Sequence, residues 1–250
     1  MDILTNYTFQ IVALGSVILA VAAAPVGAFS VYKGQSLIGD AIGHSTFPGI
    51  ILAYMAFATR SPIILLAGAI LAGAASYALI QLAHRDKRLG LDANLAIFLS
   101  GFFGLGMALK SFIQGNPDYA GASQAGLGTY IFGQAAYMLE ADVLLIAVVS
   151  ALVLTLLLLF YKELKLFVFD AEYAEVVGLP CRLLNLLLLV MTIAVIGIGI
   201  KAVGAILISS FLIIPCVAAN QWSNNFARVL LLSSLIGAVS ALVGTYISTL

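Results

Sequence analysis

The sequence predicts an all-α membrane protein: a bundle of about eight transmembrane helices in a single domain, residues 1–250. Hydrophobic residues make up 63% of the chain and charged residues only 9%, whereas a soluble domain has about 25% charged residues. The hydrophobic residues form runs of about 20 residues, the length that crosses a bilayer. Because helices satisfy their own backbone hydrogen bonds in lipid, the runs are predicted as helices rather than strands.

Eight apolar runs define the predicted spans. They lie at residues 7–32, 36–58, 62–83, 92–113, 141–161, 182–200, 202–219 and 227–249. Residues 114–140, rich in glycine and amides, are predicted as a re-entrant or surface segment on the outer side. Residues 162–182 are predicted to hold a short helix on the inner side.

The basic residues predict the orientation of the bundle. If the loop His84–Arg88 is cytoplasmic, alternation of the spans places the loops 33–35, 162–182 and 220–228 on the same side. That side then carries eight of the eleven Lys and Arg residues, which satisfies the positive-inside rule. Both termini are therefore expected outside.

Composition and motifs also exclude several functions. The net charge of zero argues against a nucleic-acid partner. The two cysteines lie far apart and form neither a disulfide framework nor a zinc motif. The glycine-rich stretch Gly101–Gly106 lacks the Lys-Ser or Lys-Thr of a phosphate-binding loop and is predicted to serve helix packing. We therefore expect no bound cofactor and no enzyme activity of the chain itself.

The strongest motif is Gly39-Asp40-Ala41-Ile42-Gly43-His44 in the second predicted span. Asp40 and His44 are four residues apart, so on a helix they share one face. A carboxylate inside a membrane span costs an estimated 2.5–3.5 kcal/mol and therefore faces the protein interior or a wet cavity. An oxygen and an imidazole ligand suit zinc, manganese or iron(II). Two interpretations stay open: a metal site completed by other ligands, or a buried polar pair that joins helices.

Two other residues of the same types receive structural interpretations. His84 lies in a basic loop and is predicted to be solvated. Asp92, at the start of the fourth span, is predicted to be the N-cap of that helix rather than a member of a metal site.

Residues 170–179 form a second motif, with the features of a short helix. Asp170 can cap the first turn, and Glu172 lies where the helix dipole favours negative charge. Gly178 can take the left-handed position that ends a helix, and Pro180 prevents continuation. Such a helix either docks on a soluble partner or lies on the membrane surface without one.

A third motif lies in the seventh predicted span, where Ser209 and Ser210 precede Pro215. Proline removes a backbone donor and kinks a helix, and a kink in a membrane helix leaves polar groups for other uses. These three residues are a candidate gate, and an ordinary packing kink is the alternative.

The motifs together resemble a known family. The stretch Gln35–His44, followed by Pro48-Gly49, is similar to the signature of manganese, zinc and iron permeases of ATP-binding-cassette importers. The segment Glu172–Gly178 resembles the coupling loop of importer permeases, with Tyr173 in place of an alanine. Tyr130–Gly133 and Val203–Pro215 follow in the order expected of the family.

The resemblance implies a function, a site and partners. Asp40 and His44 would contact a transported divalent ion, manganese or zinc or else iron, during alternating access. Residues 170–179 would form the cytoplasmic coupling helix. Its assigned residues are Asp170, Glu172, Tyr173, Ala174 and Gly178. The partners would be a second permease copy or paralogue, cytoplasmic ATPase subunits that bind ATP, an extracellular metal-binding lipoprotein or periplasmic binding protein, and the lipid of the bacterial cytoplasmic membrane.

The chain departs from the family pattern at two places. Cys216 and Val217 follow the proline where small residues and threonine are usual, and the sequence stops at Leu250, where members of the family typically add one more hydrophobic helix. Two other functions are alternatives to an importer permease. One is a proton-coupled secondary metal transporter. The other is an intramembrane metalloprotease, which requires a His-Glu-x-x-His motif that this sequence lacks.

Overall fold

The computed structural model of the protein describes residues 7–59, 61–84, 90–116, 119, 133, 135 and 138–249. These residues form ten α-helices and no strand, which confirms the predicted all-α bundle. The helices are α1 (Tyr7–Tyr32), α2 (Ile38–Phe57), α3 (Pro62–His84), α4 (Leu91–Gly115), α5 (Glu140–Leu159), α6 (Tyr161–Phe169), α7 (Ala171–Val176), α8 (Cys181–Val203), α9 (Ala205–Asn220) and α10 (Phe226–Ser248).

Eight of these helices match the eight predicted runs to within a few residues. Six helices in the described part of the chain are long and apolar enough to cross a membrane: α1, α3, α4, α5, α8 and α10. Two of the eight matching helices do not meet both conditions. Helix α9 is apolar but has only 16 residues, and α2 carries the polar side chains of Asp40 and His44. Both are largely buried among the longer helices, so the chain is a polytopic membrane bundle.

The centre of the bundle is formed by α1 and α8, most of whose residues are buried, whereas α4 and α5 are mostly exposed. Helix α1 packs against α10, α9, α5 and α8. Its middle is a run of small residues, with Ala20, Ala24 and Ala28 all fully buried. Small side chains let membrane helices approach closely. A Cβ atom added at Gly237 of α10 would lie 3.5 Å from that of Ala20, and Gly27 lies directly against the backbone of Leu212 in α9.

Helix α2 is held on one side by α3 through two facing glycines. A Cβ atom added at Gly49 would lie 2.2 Å from the carbonyl oxygen of Gly68, and one added at Gly68 would lie 2.4 Å from that of Gly49. The two backbones are therefore in direct contact. This contact fixes the second half of α2, the helix that carries Asp40 and His44.

The junction between α8 and α9 differs from the prediction. The sequence placed the break at Lys201, but α8 continues to Val203 and the chain turns at Gly204, with φ 86° and ψ 165°. An L-residue with a side chain rarely adopts this positive φ, so glycine sets the position of the break. Lys201 instead lies in the last turn of α8 and pairs with Asp142 of α5 at 2.5 Å.

Part of the outer segment also reaches this junction. A Cβ atom added at Gly133 would lie 2.3 Å from the carbonyl carbon of Val203, so the last glycine of the Tyr130–Gly133 motif rests on the α8–α9 junction. Residues 120–132 lie outside the described residues, as do 85–89. The prediction of a re-entrant or surface segment over 114–140 therefore stays a prediction.

Three loops meet at the opposite end of the bundle, as the alternation of the spans predicts. The Tyr32 hydroxyl, at the end of α1, donates to the Asn220 amide oxygen at 2.7 Å. The Tyr32 ring packs against Phe169 at 5.2 Å and against Phe226 at 5.0 Å between centroids. The ends of α1, α6 and α9 and the start of α10 thus share one end, called the inner end below because the positive-inside count assigns it to the cytoplasm.

Candidate metal-transport site and coupling helix

Asp40 and His44 lie one turn apart in the first half of α2. The His44 Nε2 atom is 3.4 Å from the Asp40 Oδ1 atom. The Asp40 side chain is 30% exposed and that of His44 is 17% exposed, so the pair is partly open at the surface of the single chain rather than enclosed in its core. An accessible oxygen and nitrogen on one helical face can bind a borderline divalent metal.

The two motif glycines of α2 explain how α9 approaches this pair. A Cβ atom at Gly39 would lie 2.8 Å from Leu212 Cδ1, and one at Gly43 would lie 3.3 Å from Ser209 Oγ. With hydrogen atoms in place of side chains, α9 can sit beside α2. The spacing of the glycines therefore serves helix packing, while Asp40 and His44 occupy the adjoining face.

Ser209 is the residue of α9 that this packing brings to the site. A Cβ atom added at Gly43 would lie 3.3 Å from its hydroxyl oxygen, so Ser209 packs against the first half of α2. The hydroxyl itself donates to the Ala205 carbonyl oxygen at 2.9 Å. Ser209 is buried, with 5% exposure. Two motifs that are separated by about 170 residues in the sequence thus pack against each other beside the Asp40–His44 pair.

The other two candidate gate residues do not join this contact. Ser210 donates to the carbonyl oxygen of Ile206 at 3.0 Å, which is a bond within its own helix. Pro215 is buried inside α9, beyond the site. Proline cannot donate to the carbonyl of the fourth residue before it, which is Phe211, so α9 lacks one of its helical hydrogen bonds there.

Phe103 of α4 also contacts the site, although no pattern in the sequence predicts this contact. The rings of His44 and Phe103 meet edge to face, with centroids 5.1 Å apart. Phe103 lies inside the glycine-rich stretch of α4, in which Gly106 packs closely against Phe47 and Pro48. Gly106 therefore serves helix packing as predicted, whereas a Cβ atom added at Gly101 or Gly104 would meet nothing within 4 Å. The stretch also places an aromatic ring beside the imidazole.

Within the described residues of one chain, the pair has no third ligand. No group of three or more His, Cys, Asp or Glu side chains that could hold a metal occurs in that part of the structure. Two protein ligands leave most positions of a divalent ion open. A complete site would therefore take further ligands from water, from residues outside the described ranges or from another chain.

His84 and Asp92 lie apart from this site. His84 is exposed, as predicted, although it belongs to the last turn of α3 rather than to a loop. The prediction that Asp92 caps α4 is wrong, because the N-cap is Gly90 and Asp92 lies in the first turn. There its charge still interacts favourably with the helix dipole.

The second motif is a six-residue helix, α7, at the inner end. The Asp170 carboxylate accepts a hydrogen bond from the Tyr173 backbone N–H at 2.9 Å, which confirms the predicted cap. Gly178 has φ +86°, as predicted for the left-handed position that ends the helix. Ala174 is buried against the bundle.

The outer face of α7 is open to a partner. Glu172, Tyr173 and Glu175 are exposed on it. A capped helix with one buried alanine and an acidic, aromatic outer face has the form of a docking element.

A separate apolar cavity of about 160 Å³ lies between α2, α3, α5 and α8. Ile50 and Leu145 line it, as does the ion pair Asp142–Lys201, whereas Asp40 and His44 do not. The cavity is therefore distinct from the site on α2.

Almost the whole chain matches one known family of transport proteins: residues 5–250 match the ABC 3 transport family. The chain belongs to this family. It is 38% identical over 248 residues to the zinc transport system membrane protein TroC of Treponema pallidum, which covers 99% of this chain and 82% of that protein. It is also 38% identical over 240 residues to the manganese transport system membrane protein MntC of Bacillus subtilis, covering 96% of this chain and 54% of that protein.

A solved structure has the same fold. PsaBC from Streptococcus pneumoniae, in complex with Fab, matches with a TM-score of 0.80 and 26% identity, over 98% of this chain and 90% of that one. Family membership confirms the resemblance drawn from the motifs. The chain is a multi-pass permease subunit of a bacterial cytoplasmic membrane, not an enzyme.

Proposed function

We propose that the chain is the permease of an ATP-driven importer of a divalent transition-metal ion, manganese or zinc or else iron, and that Asp40 and His44 contact the ion in transit. The observation that carries the proposal is the accessible Asp40–His44 pair on one face of α2 in a member of the ABC 3 transport family. The names of the relatives TroC and MntC, which specify zinc and manganese, support the choice of ions.

The ligand count supports a paired assembly. One chain offers one carboxylate and one imidazole, and a second copy or a paralogue facing it would offer the same again. Four such ligands suit zinc or manganese, whereas two leave an ion mostly hydrated. The metal would then pass along the interface between two permeases.

Transport would follow alternating access, driven by ATP on separate cytoplasmic subunits. Helix α7 would dock on the ATPase through its exposed residues and transmit the movement that ATP binding causes. An extracellular binding protein would deliver the ion to the outer end. Ser209, which packs on α2 beside the metal pair, would move with α9, and the missing hydrogen bond at Pro215 would let α9 bend when the gate switches.

The donor set does not select among the candidate metals by affinity alone. At an unselective site, zinc binds more tightly than manganese or iron(II). Specificity would therefore rest on the geometry of the paired site and on the binding protein that supplies the ion.

The test is the metal content of cells that express the whole transporter, measured by mass spectrometry for manganese, iron and zinc. We expect one metal to accumulate with the intact chain and to fall to background in the double variant Asp40→Ala, His44→Ala at matched expression. The matched control is Asp92→Ala, His84→Ala, which removes the same residue types at exposed positions outside the site.

Each outcome has a distinct meaning. Uptake that persists in the Asp40, His44 variant would show that the pair is structural. Uptake that persists when the ATPase is catalytically inactive would favour the proton-coupled carrier. Failure of every metal to accumulate with all partners present would refute the importer.

A further inference from the structure

Movement of α7 has to reach α2 through intermediate helices. Helix α7 packs on α6 and on the start of α8. Asp40 and His44 lie on α2, whose main neighbours are α3, α4, α9 and α8. A residue that joins α6 and α8 to the start of α2 would therefore connect the proposed coupling helix to the proposed metal site.

Lys33 makes this connection. It lies directly after α1 and five residues before the first residue of α2. Its ammonium group donates a hydrogen bond to the side-chain oxygen of Asn185 in α8. The same nitrogen lies 4.8 Å from the ring centroid of Phe167 in α6, in a cation–π contact. Phe167 and Asn185 flank α7 in the sequence, one on each side.

The partners of Lys33 are fixed in turn. Phe167 is buried, with 6% exposure, and the Asn185 amide donates to the Tyr77 hydroxyl of α3 at 2.8 Å. A movement of α6 or α8 would therefore displace the ammonium group rather than be absorbed by a loose side chain.

The link from Lys33 to α2 is short and closed. The backbone N–H of Gln35 donates to the Ser30 carbonyl oxygen at 2.9 Å, and that of Ile38 donates to the Gln35 carbonyl oxygen at 3.1 Å. The turn between α1 and α2 is thus held by hydrogen bonds on both sides. Displacement of Lys33 would be passed to the first turn of α2, which contains Asp40.

The charge on Lys33 is maintained at a cost. Burial lowers its pKa from 10.5 to about 8. At pH 7 the ammonium form still predominates, although it is partly desolvated. Electrostatic contacts strengthen in such surroundings, and the ring of Phe167 adds a cation–π attraction to the hydrogen bond with Asn185.

We propose that Lys33 is a positioning residue of the transporter: it ties the segment α6–α7 and the start of α8 to the start of α2, so that movement of the coupling helix moves the Asp40–His44 pair. The inference rests on the proposed function. It assigns to Lys33 no contact with the metal, the nucleotide or the ATPase.

The test compares Lys33→Met with the wild type in the complete transporter, reconstituted in vesicles with its ATPase and binding protein. Mn²⁺ uptake, or Zn²⁺ uptake in a parallel set, is measured together with ATP hydrolysis in the same vesicles. We expect the ions imported per ATP to fall at least about fivefold, while ATP hydrolysis stays within about twofold and ion binding without ATP is unchanged. The control is Lys165→Met, which removes an exposed lysine of α6 and should change neither quantity.

Two further variants make the result decisive. Lys33→Arg keeps the cation and should restore most of the transport per ATP. If the Lys33→Met transporter does not assemble, the same ratio of ions to ATP is measured for Asn185→Leu. This variant keeps Lys33 and removes the side-chain oxygen to which the lysine donates. An unchanged ratio of ions to ATP in the assembled Lys33→Met variant, or in Asn185→Leu in its place, would overturn the inference. A wild-type transporter that imports neither ion would instead refute the proposed function.

Discussion

Gly27 of α1 lies directly against the backbone of α9, and a single added methyl group has no room there. A Cβ atom at Gly27 would be 1.8 Å from the carbonyl oxygen of Leu212 and 2.6 Å from its Cα atom. Real Cβ atoms essentially never approach another heavy atom within 3.0 Å, so the two helices would have to separate locally by at least about 1.2 Å. The obstructing atoms are backbone, which cannot rotate away.

The expected cost follows from this geometry. Overpacking a well-packed core costs about 1–3 kcal/mol, and occasionally more. A backbone clash belongs at the upper end, so we expect Gly27→Ala to lose about 3 kcal/mol. For a chain of this size that is a melting temperature lower by roughly 6–12 °C. Because α9 carries Ser209, metal uptake should fall as well.

The assay is thermal unfolding of the purified protein in detergent, with two control substitutions of the same kind. An added Cβ atom at Gly101 or at Gly244 has nothing within 4 Å. Alanine is also a better helix former than glycine by about 0.5–1 kcal/mol. Gly101→Ala and Gly244→Ala should therefore melt at or slightly above the wild-type temperature. A Gly27→Ala protein that melts within 2 °C of the controls would refute the close α1–α9 contact.

Three further predictions concern α7, Lys33 and α2. Asp170→Ala removes the cap on the Tyr173 N–H and should destabilise α7 by about 0.5–2 kcal/mol, so less ATPase should co-purify with this variant. Asp170→Asn keeps a capping oxygen and should retain the ATPase. An equal loss of ATPase from both variants would mean that the charge matters rather than the cap. Burial lowers the pKa of Lys33 to about 8 in the folded chain, from 10.5 in the unfolded chain. Between these pH values the unfolded chain holds a proton that the folded chain has released, so stability rises with pH. The wild-type melting temperature should therefore rise relative to that of Lys33→Met across this window, and parallel curves would contradict the burial of the amine. Pro48→Ala restores the backbone N–H that can donate to the His44 carbonyl oxygen. It should raise the melting temperature and slow transport. Faster transport would show that α2 does not need the missing hydrogen bond in order to work.

The helices were predictable because the bilayer imposes one requirement on every span. A run of about 20 apolar residues has to be helical in lipid, so α1 was predicted at 7–32, where it is observed. Local motifs were equally readable: the Asp170 cap and the positive φ of Gly178 depend only on neighbouring residues. Hydrophobicity alone misplaced the α8–α9 break at Lys201, because Gly204 ends the helix by its backbone conformation.

The site was only half predictable. Spacing alone places Asp40 and His44 on one face of a helix. Nothing in the spacing indicates that Ser209 packs on the first half of α2 or that Phe103 meets His44, because both contacts arise from the packing of separate helices. Lys33 shows the same limit, since in the sequence it is one of eight inner-side basic residues and only the fold places it between Asn185 and Phe167.

The two halves of α2 are held differently, and this difference suits a moving site. Gly49 fixes the second half against the backbone of α3. Pro48, just before it, cannot bond to the His44 carbonyl, so the helix is weakest between the two halves. The first half, with Asp40, packs against α9 at Gly39 and Gly43, and its start is joined by backbone hydrogen bonds to the turn that holds Lys33. A displacement of α9 or of the Lys33 turn can therefore move the metal ligands while the rest of α2 stays in place.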